Sequence, residues 1–263
     1  MKKIIIVLLC VFSILIGHIA YNISGGVSGL REDIGLEIKA RSNPKLRTIL
    51  NNKDQYPDAM IQSLYRNEEL IDFVYNYPSK KGHVYTNTIG PVTKGRYPLL
   101  LQYDQRWGYG NYGYNVIGMN GCGPTSAAMI IAGLIGRNNI TPFDVASYAY
   151  SHGYYQDGTS WAFFTEGMKH YVIHGRNIPL SYSSMKNEIV NGIPLICSMK
   201  PGDFTTTGHL IVIRGMKQGM FIVNDPNSIK RSNRLWSYDT LSKQIRNIWS
   251  LKITLLRIKS WER

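Results

Sequence analysis

Cys122 stands in a segment whose residue types favour nucleophilic chemistry. It is flanked by two glycines and followed by Pro124 and an apolar run, residues 127–134. Proline suits the first turn of a helix, so the segment predicts a helix that starts at the cysteine and ends at Gly136. Unpaired N–H groups at a helix start carry partial positive charge, which favours the thiolate form of a cysteine. The flanking glycines would let a substrate backbone approach closely.

Burial as a small apolar side chain is the alternative for Cys122, because this is the commonest fate of a free cysteine. The local sequence alone leaves the two interpretations equally open. Cys197 lies within an apolar run, residues 193–199, that predicts a strand. We therefore assign Cys197 to the core, where thiols are inert, and we expect no disulfide between the two residues.

A cysteine nucleophile needs a base, and His209 is the best placed of the six histidines. It follows a polar turn, residues 205–208, and opens an apolar, β-branched run that predicts a strand. A histidine held at the start of a buried strand is well placed for acid–base catalysis. The simpler alternative is a hydrogen-bonded histidine at a strand end. The other histidines fall in the apolar N-terminus, in a surface loop or at the ends of helical runs.

Asp225 is the candidate for a group that orients the imidazole. The run 219–224 predicts a strand that pairs with the His209 strand through a turn, and Pro226 ends its ladder. Asp225 should then emerge at the end of the sheet that carries His209. Two alternatives stay open at this point: Asp-Pro is also a simple turn signal, and Asn224 could face the imidazole instead.

Four sequence blocks, in this order, resemble the C39-like cysteine peptidases, a bacteriocin-processing type within the papain-like superfamily. They are residues 98–109 (PLLLQYDQRWGY), 122–126 (CGPTS), 206–212 (TTGHLIV) and 224–227 (NDPN). The resemblance extends over about residues 90–257. It implies a papain-like α+β fold, in which a helical lobe is followed by an antiparallel sheet and the cysteine helix faces the histidine strand across a cleft.

The resemblance also implies a role for each of four residues. Cys122 would be the nucleophile and His209 the general base and acid. Asp225 would orient the imidazole, and Gln102 would donate to the oxyanion. A neutral amide N–H beside the backbone N–H of Cys122 can stabilise an oxyanion without neutralising a thiolate. Gln105 is the alternative for the amide role, although its neighbours have the character of scaffold.

These residues predict an enzyme that cleaves an amide bond in a peptide or protein substrate by cysteine–histidine–aspartate catalysis. One alternative is acyl transfer that forms an isopeptide bond at the same site. Another is a catalytically silent peptide-binding module, although a decayed enzyme usually loses at least one member of such a set. We expect no cofactor and no metal, because the sequence has no C-x-x-C, no H-E-x-x-H and no carboxylate cluster at ligand spacing.

The N-terminus predicts export from the cytoplasm. Lys2 and Lys3 precede an almost wholly apolar run, residues 4–20, as in a signal peptide or signal anchor. The run is at the short limit for spanning a bilayer, and no clear small-x-small cleavage site follows it. We favour an uncleaved anchor with the catalytic domain outside. The expected location is extracytoplasmic, membrane-anchored or secreted, and the resemblance implies a Gram-positive bacterial source.

The chain is strongly basic, with a formal net charge of +13. Between Lys230 and Arg263, nine basic residues face only two acidic ones. Such a surface could contact anionic cell-wall polymers or lipid headgroups after export, although a solvated basic face is the simpler interpretation and the one we favour. Nucleic acid is not expected as a partner, because the export signal argues against it and no recognised nucleic-acid module is present.

We expect three parts along the chain: a signal peptide or anchor (1–24), a spacer with a small helical segment (25–90) and the peptidase domain (91–263). In the second part, residues 43–51 predict a short helix and residues 57–77 a longer one that ends before Pro78. We expect these helices to pack on the catalytic domain, with a removable propeptide as the alternative. The elements predicted for the peptidase domain are helices from Cys122, over 141–151 and over 160–171, and strands near 193–199, 209–214, 219–224 and 251–258.

Overall fold

The computed structural model describes residues 34–254. The chain divides into two compact units, with the boundary between Tyr75 and Asn76. The predicted signal or anchor lies outside the described residues, as do the glycine-rich spacer up to residue 33 and the tail 255–263. In the described range, no helix combines the length and apolar character needed to cross a membrane.

The short helix predicted over 43–51 is confirmed, because Asn43 caps the helix Pro44–Asn51 by accepting from the backbone N–H of Leu46. The longer helix predicted over 57–77 is wrong in two respects. It is interrupted at Asn67, whose side chain accepts from a backbone N–H two residues on, and it then runs through Pro78. A proline so close to a helix end removes only one backbone hydrogen bond. The observed elements are α-helices Asp58–Arg66 and Ile71–Lys80, with 3₁₀ turns Lys53–Gln55 and Glu68–Leu70.

The second unit is built on a six-stranded sheet in the order β3-β8-β4-β5-β6-β7, with every neighbouring pair antiparallel. A separate two-stranded hairpin, β1–β2, precedes it in the chain. The strands are β1 Asn111–Tyr112, β2 Asn115–Val116, β3 Ile173–Asn177, β4 Leu195–Met199, β5 His209–Lys217, β6 Met220–Asn224, β7 Leu235–Trp236 and β8 Ile245–Ile253.

Most helices of this unit precede the sheet strands in the sequence, which agrees with the predicted α+β class. They are Ile117–Asn120, Cys122–Ile135, Pro142–Ser151, Ala162–Thr165, Tyr182–Val190, Ile229–Ser232 and Tyr238–Gln244, with a 3₁₀ helix at Gly167–Tyr171. The helix predicted over 160–171 is therefore broken into two short pieces. At Gly167, a Cβ atom would lie 2.4 Å from the ring of Phe163, so this position between the two pieces requires glycine.

The central strands are apolar on both faces because the sheet has a core on each side. Along β5, Leu210 and Val212 join one buried cluster, whereas Ile211 and Ile213 join the other. This alternation explains why the central strands appear as continuous apolar runs in the sequence. The turn between β5 and β6 is tight, since Gln218 and Gly219 both have positive φ angles, 53° and 76°.

The helix Cys122–Ile135, the cysteine helix, packs on β5 and is buried along most of its length. It ends at Gly136, which adopts the left-handed conformation with φ 80°, as predicted. Its burial places the N-terminal turn of the helix beside the start of β5, where His209 lies.

Candidate active site

Cys122 and His209 line one cleft of about 690 Å³. One wall is the loop 156–161, which we call the 156–161 wall. The ends of β4 and β8 and the residues that lead into β5 complete the lining. Outside that wall, the lining residues are Cys122, Ser198, Met199, Thr207, Gly208, His209, Leu210 and Arg246.

Cys122 is the first residue of its helix and is partly exposed. The two glycines beside it serve the packing of the protein itself, which corrects the expectation that they admit a substrate backbone. A Cβ at Gly121 would lie 2.5 Å from the carbonyl oxygen of Ile117. A Cβ at Gly123 would lie 2.2 Å from the side-chain oxygen of Thr159 in the 156–161 wall. Both positions need glycine because neighbouring atoms already fill the space.

His209 lies between the thiol and a carboxylate. Its Nε2 atom is 2.7 Å from Oδ1 of Asp225, so Nδ1 is the ring nitrogen left for Cys122. The ring is buried, which lowers its pKa, but the charge and hydrogen bond of Asp225 and the interaction with Cys122 outweigh burial and raise the pKa of His209 to about 9. The imidazole is therefore protonated at neutral pH.

Asp225 is completely buried, and both of its carboxylate oxygens have partners. Oδ1 accepts from His209 and from the backbone N–H of Asn227, each at 2.7 Å. Oδ2 accepts from Nε of Arg231 at 2.5 Å. Burial would raise the pKa of this carboxyl, but the charges and hydrogen bonds of His209 and Arg231 lower it below its usual value. Asp225 is thus an anion in contact with two cations.

The structure decides between Asp225 and Asn224 as the neighbour of the imidazole. The side chain of Asn224 is fully engaged elsewhere, with Oδ1 accepting from Nε of Arg214 at 2.8 Å. Its Nδ2 donates to the carbonyls of Tyr97 and Pro98 at 3.1 and 3.0 Å. The predicted contact of Asp225 with His209 is therefore present, and the alternative with Asn224 is wrong.

Gln102 is buried and is not among the residues that line the cleft. Its Nε2 donates to the carbonyl oxygens of Gly118 at 2.9 Å and Met119 at 3.3 Å, just ahead of the cysteine helix. Its backbone N–H donates to the carbonyl of Pro226, next to Asp225, at 2.7 Å. Gln102 thus links the segment before the nucleophile candidate to the turn that carries the carboxylate.

The side chain of Gln105, the alternative to Gln102, binds residues outside the candidate site. Its side-chain carbonyl accepts from Nζ of Lys80 at 2.7 Å and from the amide of Asn76 at 3.3 Å. These contacts suit a structural residue.

Cys197 is buried in β4 between β5 and β8, as predicted for a core residue. Burial raises the pKa of its thiol strongly, so it stays protonated and unreactive.

Arg231 is the charged member of the site that the sequence did not reveal. It lies six residues after Asp225, in the short helix Ile229–Ser232. The only available signal was an arginine shortly after the Asp-Pro turn, within a stretch rich in basic residues, and nothing in that stretch distinguishes it from Lys230 or Arg234.

A thiol at a helix start, an imidazole at the start of an antiparallel strand and a buried carboxylate behind it belong to the papain-like class of α+β folds. The family model described as the Peptidase_C39 like family matches residues 94–252, and the chain belongs to this family. Membership supports a function of the cysteine-peptidase type.

Two solved structures resemble the chain. One is the peptidase domain of Streptococcus ComA, a bi-functional ABC transporter involved in a quorum-sensing pathway. It shares 19% sequence identity with this chain at a TM-score of 0.41, and the match covers 60% of this chain and 99% of that domain. The other is a double glycine motif protease from an AMS/PCAT transporter in complex with a leader peptide, with 18% identity, a TM-score of 0.38, and coverage of 62% and 95%. No curated protein gives a significant match.

Proposed function

We propose that the chain is a cysteine peptidase that hydrolyses a peptide bond with Cys122 as the nucleophile. The observation that carries the proposal is the hydrogen bond between Asp225 and Nε2 of His209, because it leaves Nδ1 available to the thiol in the cleft. A nucleophile, a base and a group that orients the base are the parts that covalent acyl chemistry requires.

In the proposed reaction, the thiolate sulfur of Cys122 bonds to the carbonyl carbon of the scissile peptide, and the π electrons move to the oxygen. His209, present as imidazolium, gives its proton to the nitrogen as the C–N bond breaks, so the amine leaves and a thioester remains. His209 then takes a proton from water as that water attacks the thioester, and the acid product and thiolate are released. Asp225 orients the ring and stabilises its charged form.

For the oxyanion we propose two donors, the backbone N–H of Cys122 and the side chain of Gln102. The first N–H groups of a helix have no acceptor within the helix. Gln102 is not among the residues that line the cleft, so in this proposal its Nε2 exchanges the longer of its two hydrogen bonds, 3.3 Å to Met119, for one to the oxyanion when the substrate is bound. Donors aimed at this developing charge commonly contribute a factor of about 10²–10³ in turnover.

We further propose that the catalytic unit acts outside the cytoplasm on secreted or surface peptides. The support is in the sequence, where Lys2 and Lys3 precede the apolar run 4–20. The net charge of +13 would suit an environment of anionic wall polymers or lipid headgroups. Fusion of the chain's N-terminus to a reporter that is active only after export tests the location, and an inactive reporter would contradict it.

The first test of the chemistry is alkylation of the full chain by iodoacetamide at pH 7, followed by peptide mass spectrometry. We expect Cys122 to react and Cys197 to stay unmodified. His209→Ala should slow the reaction of Cys122 by more than about tenfold, since it loses its imidazolium partner. Slow labelling of Cys122 that does not depend on His209 would contradict the peptidase proposal and favour a binding module.

The second test is cleavage of a peptide library, with Cys122→Ala as the matched control. New N-termini that appear only with the native chain support hydrolysis. If the native chain instead joins peptides through new amide bonds, the same site performs acyl transfer and the hydrolase proposal fails.

A further inference from the structure

We propose that Arg231 is a positioning residue for the site, which holds the Asp225 carboxylate in the orientation that the imidazole requires and offsets part of its negative charge. The inference rests on the proposed function, because it assigns Arg231 an effect on the reactivity of Cys122 through His209. It adds a fourth charged group to a site from which the sequence predicted three.

The geometry divides the two carboxylate oxygens between two cations. Oδ1 of Asp225 binds the imidazole at 2.7 Å and Oδ2 binds Nε of Arg231 at 2.5 Å. A carboxylate is rigid and planar, so fixing Oδ2 also fixes the direction of Oδ1. Without Arg231, the carboxylate would keep the hydrogen bonds on Oδ1, from His209 and the backbone N–H of Asn227, and would lose the one on Oδ2.

Arg231 is itself held by a closed loop, residues 225–232, which we call the Asp225 loop. The backbone N–H of Asp225 donates to Oγ of Ser232 at 2.8 Å, which joins the two ends of the loop. The indole N–H of Trp236 donates to the backbone carbonyl of Arg231 at 3.0 Å. Hydrogen bonds that do not involve the ion pair itself therefore hold the backbone of both partners.

Stability alone does not account for this arginine. Its side chain is only 20% exposed, and Nη2 is buried with no hydrogen-bond partner among the described residues. A buried donor without an acceptor is destabilising, and buried ion pairs often contribute little to net stability. The placement is better explained by the effect of the guanidinium on the carboxylate.

The charged groups around the Asp225–Arg231 ion pair determine in which direction the charge of Arg231 shifts the pKa of His209. Cys122 faces His209 from the cysteine helix, and Arg231 faces Asp225 from the Asp225 loop. Asp157 and Arg246 lie on the cleft walls. Arg214 on β5 binds the neighbouring Asn224. Of the cations named here, Arg231 and His209 are hydrogen-bonded to the carboxylate. Its charge weakens the negative field of Asp225 at the imidazole, so removing it makes His209 hold its proton more tightly.

The test compares Arg231→Gln and Arg231→Lys with the native full chain, and Arg234→Gln serves as the control. Arg234 carries the same charge three residues further on but stacks on Trp236, 4.0 Å from its ring centroid. Two quantities are measured: the pKa of His209 by NMR of the labelled imidazole, and the rate of Cys122 alkylation at pH 7.

For Arg231→Gln we expect the alkylation rate to fall on the order of 10- to 100-fold, since small misplacements of reacting groups have effects of this size. The pKa of His209 should also be displaced: loss of the arginine charge raises it, and a weakened contact with Asp225 lowers it. Arg231→Lys keeps the charge and should hold the pKa near the native value while recovering part of the rate. Arg234→Gln should match the native chain in both. If Arg231→Gln does not fold, Arg231→Lys decides: a displaced His209 pKa in that variant overturns the inference.

Failure of this inference is distinguishable from failure of the proposed function. If native Cys122 is reactive and depends on His209, but Arg231→Gln leaves the pKa and the rate unchanged, the inference is wrong and the peptidase proposal stands. If native Cys122 is unreactive, both are wrong. A loss of rate in Arg231→Gln without any change in the His209 pKa would indicate a purely structural role and would also overturn the inference.

Discussion

The side-chain oxygen of Thr159 lies 2.2 Å from the point that a Cβ atom would occupy at Gly123, so the 156–161 wall rests directly on the first turn of the cysteine helix. The same oxygen is 2.8 Å from the hydroxyl of Tyr112. The wall of the cleft and the start of the helix that carries Cys122 are therefore packed as one body. A side chain at position 123 would have to separate them.

Gly123→Ala tests this packing. The added methyl group would meet Cβ of Thr159 at 2.5 Å, well inside van der Waals contact, so the wall must move outward. We expect the free energy of unfolding to fall by about 1–3 kcal/mol, the usual range for overpacking, and alkylation of Cys122 to slow. Urea denaturation and the iodoacetamide rate measure the two effects. Thr159→Gly is the matched second change, and together with Gly123→Ala it should recover stability. Additive losses in the double variant would disprove the contact.

The proposed peptidase activity should decline as the pH rises through about 9, the pKa of His209. Above this value the imidazole loses the proton that the leaving amine needs. Asp225→Asn lacks the carboxylate that favours the imidazolium, so the decline in activity should begin at lower pH in this variant. The measurement is kcat/KM as a function of pH on a cleaved peptide. A descending limb that stays at the same pH in Asp225→Asn would show that another group controls it.

Folding stability should also depend on this histidine. Its pKa is about 9 in the folded chain against an ordinary value of 6.5, so the folded state binds the proton more tightly. The resulting stabilisation, on the order of 3 kcal/mol, is complete below pH 6.5 and is lost as the pH rises through about 9. Urea denaturation at pH 6 and at pH 9.5 measures it. His209→Ala should lose less stability between these two pH values than the native chain, and an equal loss would refute the assignment.

Gln102→Ala should lower kcat on the order of 10²–10³-fold while the chain stays folded, because the variant lacks the proposed oxyanion donor. Gln105→Ala is the matched control, since the Gln105 amide binds Lys80 and Asn76 instead. Circular dichroism confirms folding and steady-state kinetics give kcat. A damaging Gln105→Ala with a silent Gln102→Ala would show that the assignment of the two glutamines must be exchanged.

The parts of the site that the sequence predicted are those with local signals. The glycines and proline around Cys122 indicate a helix start, and the apolar runs after His209 and before Asp225 indicate two strands joined by a short turn. Antiparallel pairing then forces His209 and Asp225 to the same end of the sheet, which is where they meet at 2.7 Å. These strands and the helices before them are sufficient to predict the α+β fold class.

The parts that the sequence did not predict depend on contacts between distant segments. The last strand begins at Ile245 rather than near 251. The polar residues Arg246 and Asn247 lie near its start, so the sequence pattern did not indicate a strand there. Strand β3 was also missed. Its Gly175 passes so close to the carbonyl of Phe164 that no side chain fits, and this requirement belongs to the tertiary structure alone. Arg231 was missed for the same reason, since its partner is defined by the folded Asp225 loop.

The hairpin β5–β6 contains one residue more on β5 than on β6, since Ile213 pairs with Val223 but Gly215 pairs with Ile222. Successive strand residues point to opposite sides, so this extra residue decides whether position 224 or position 225 is turned towards His209. Had β5 paired with β6 in one continuous register from the turn, without this one-residue shift, Asn224 instead of Asp225 would lie on the side of the sheet that His209 occupies.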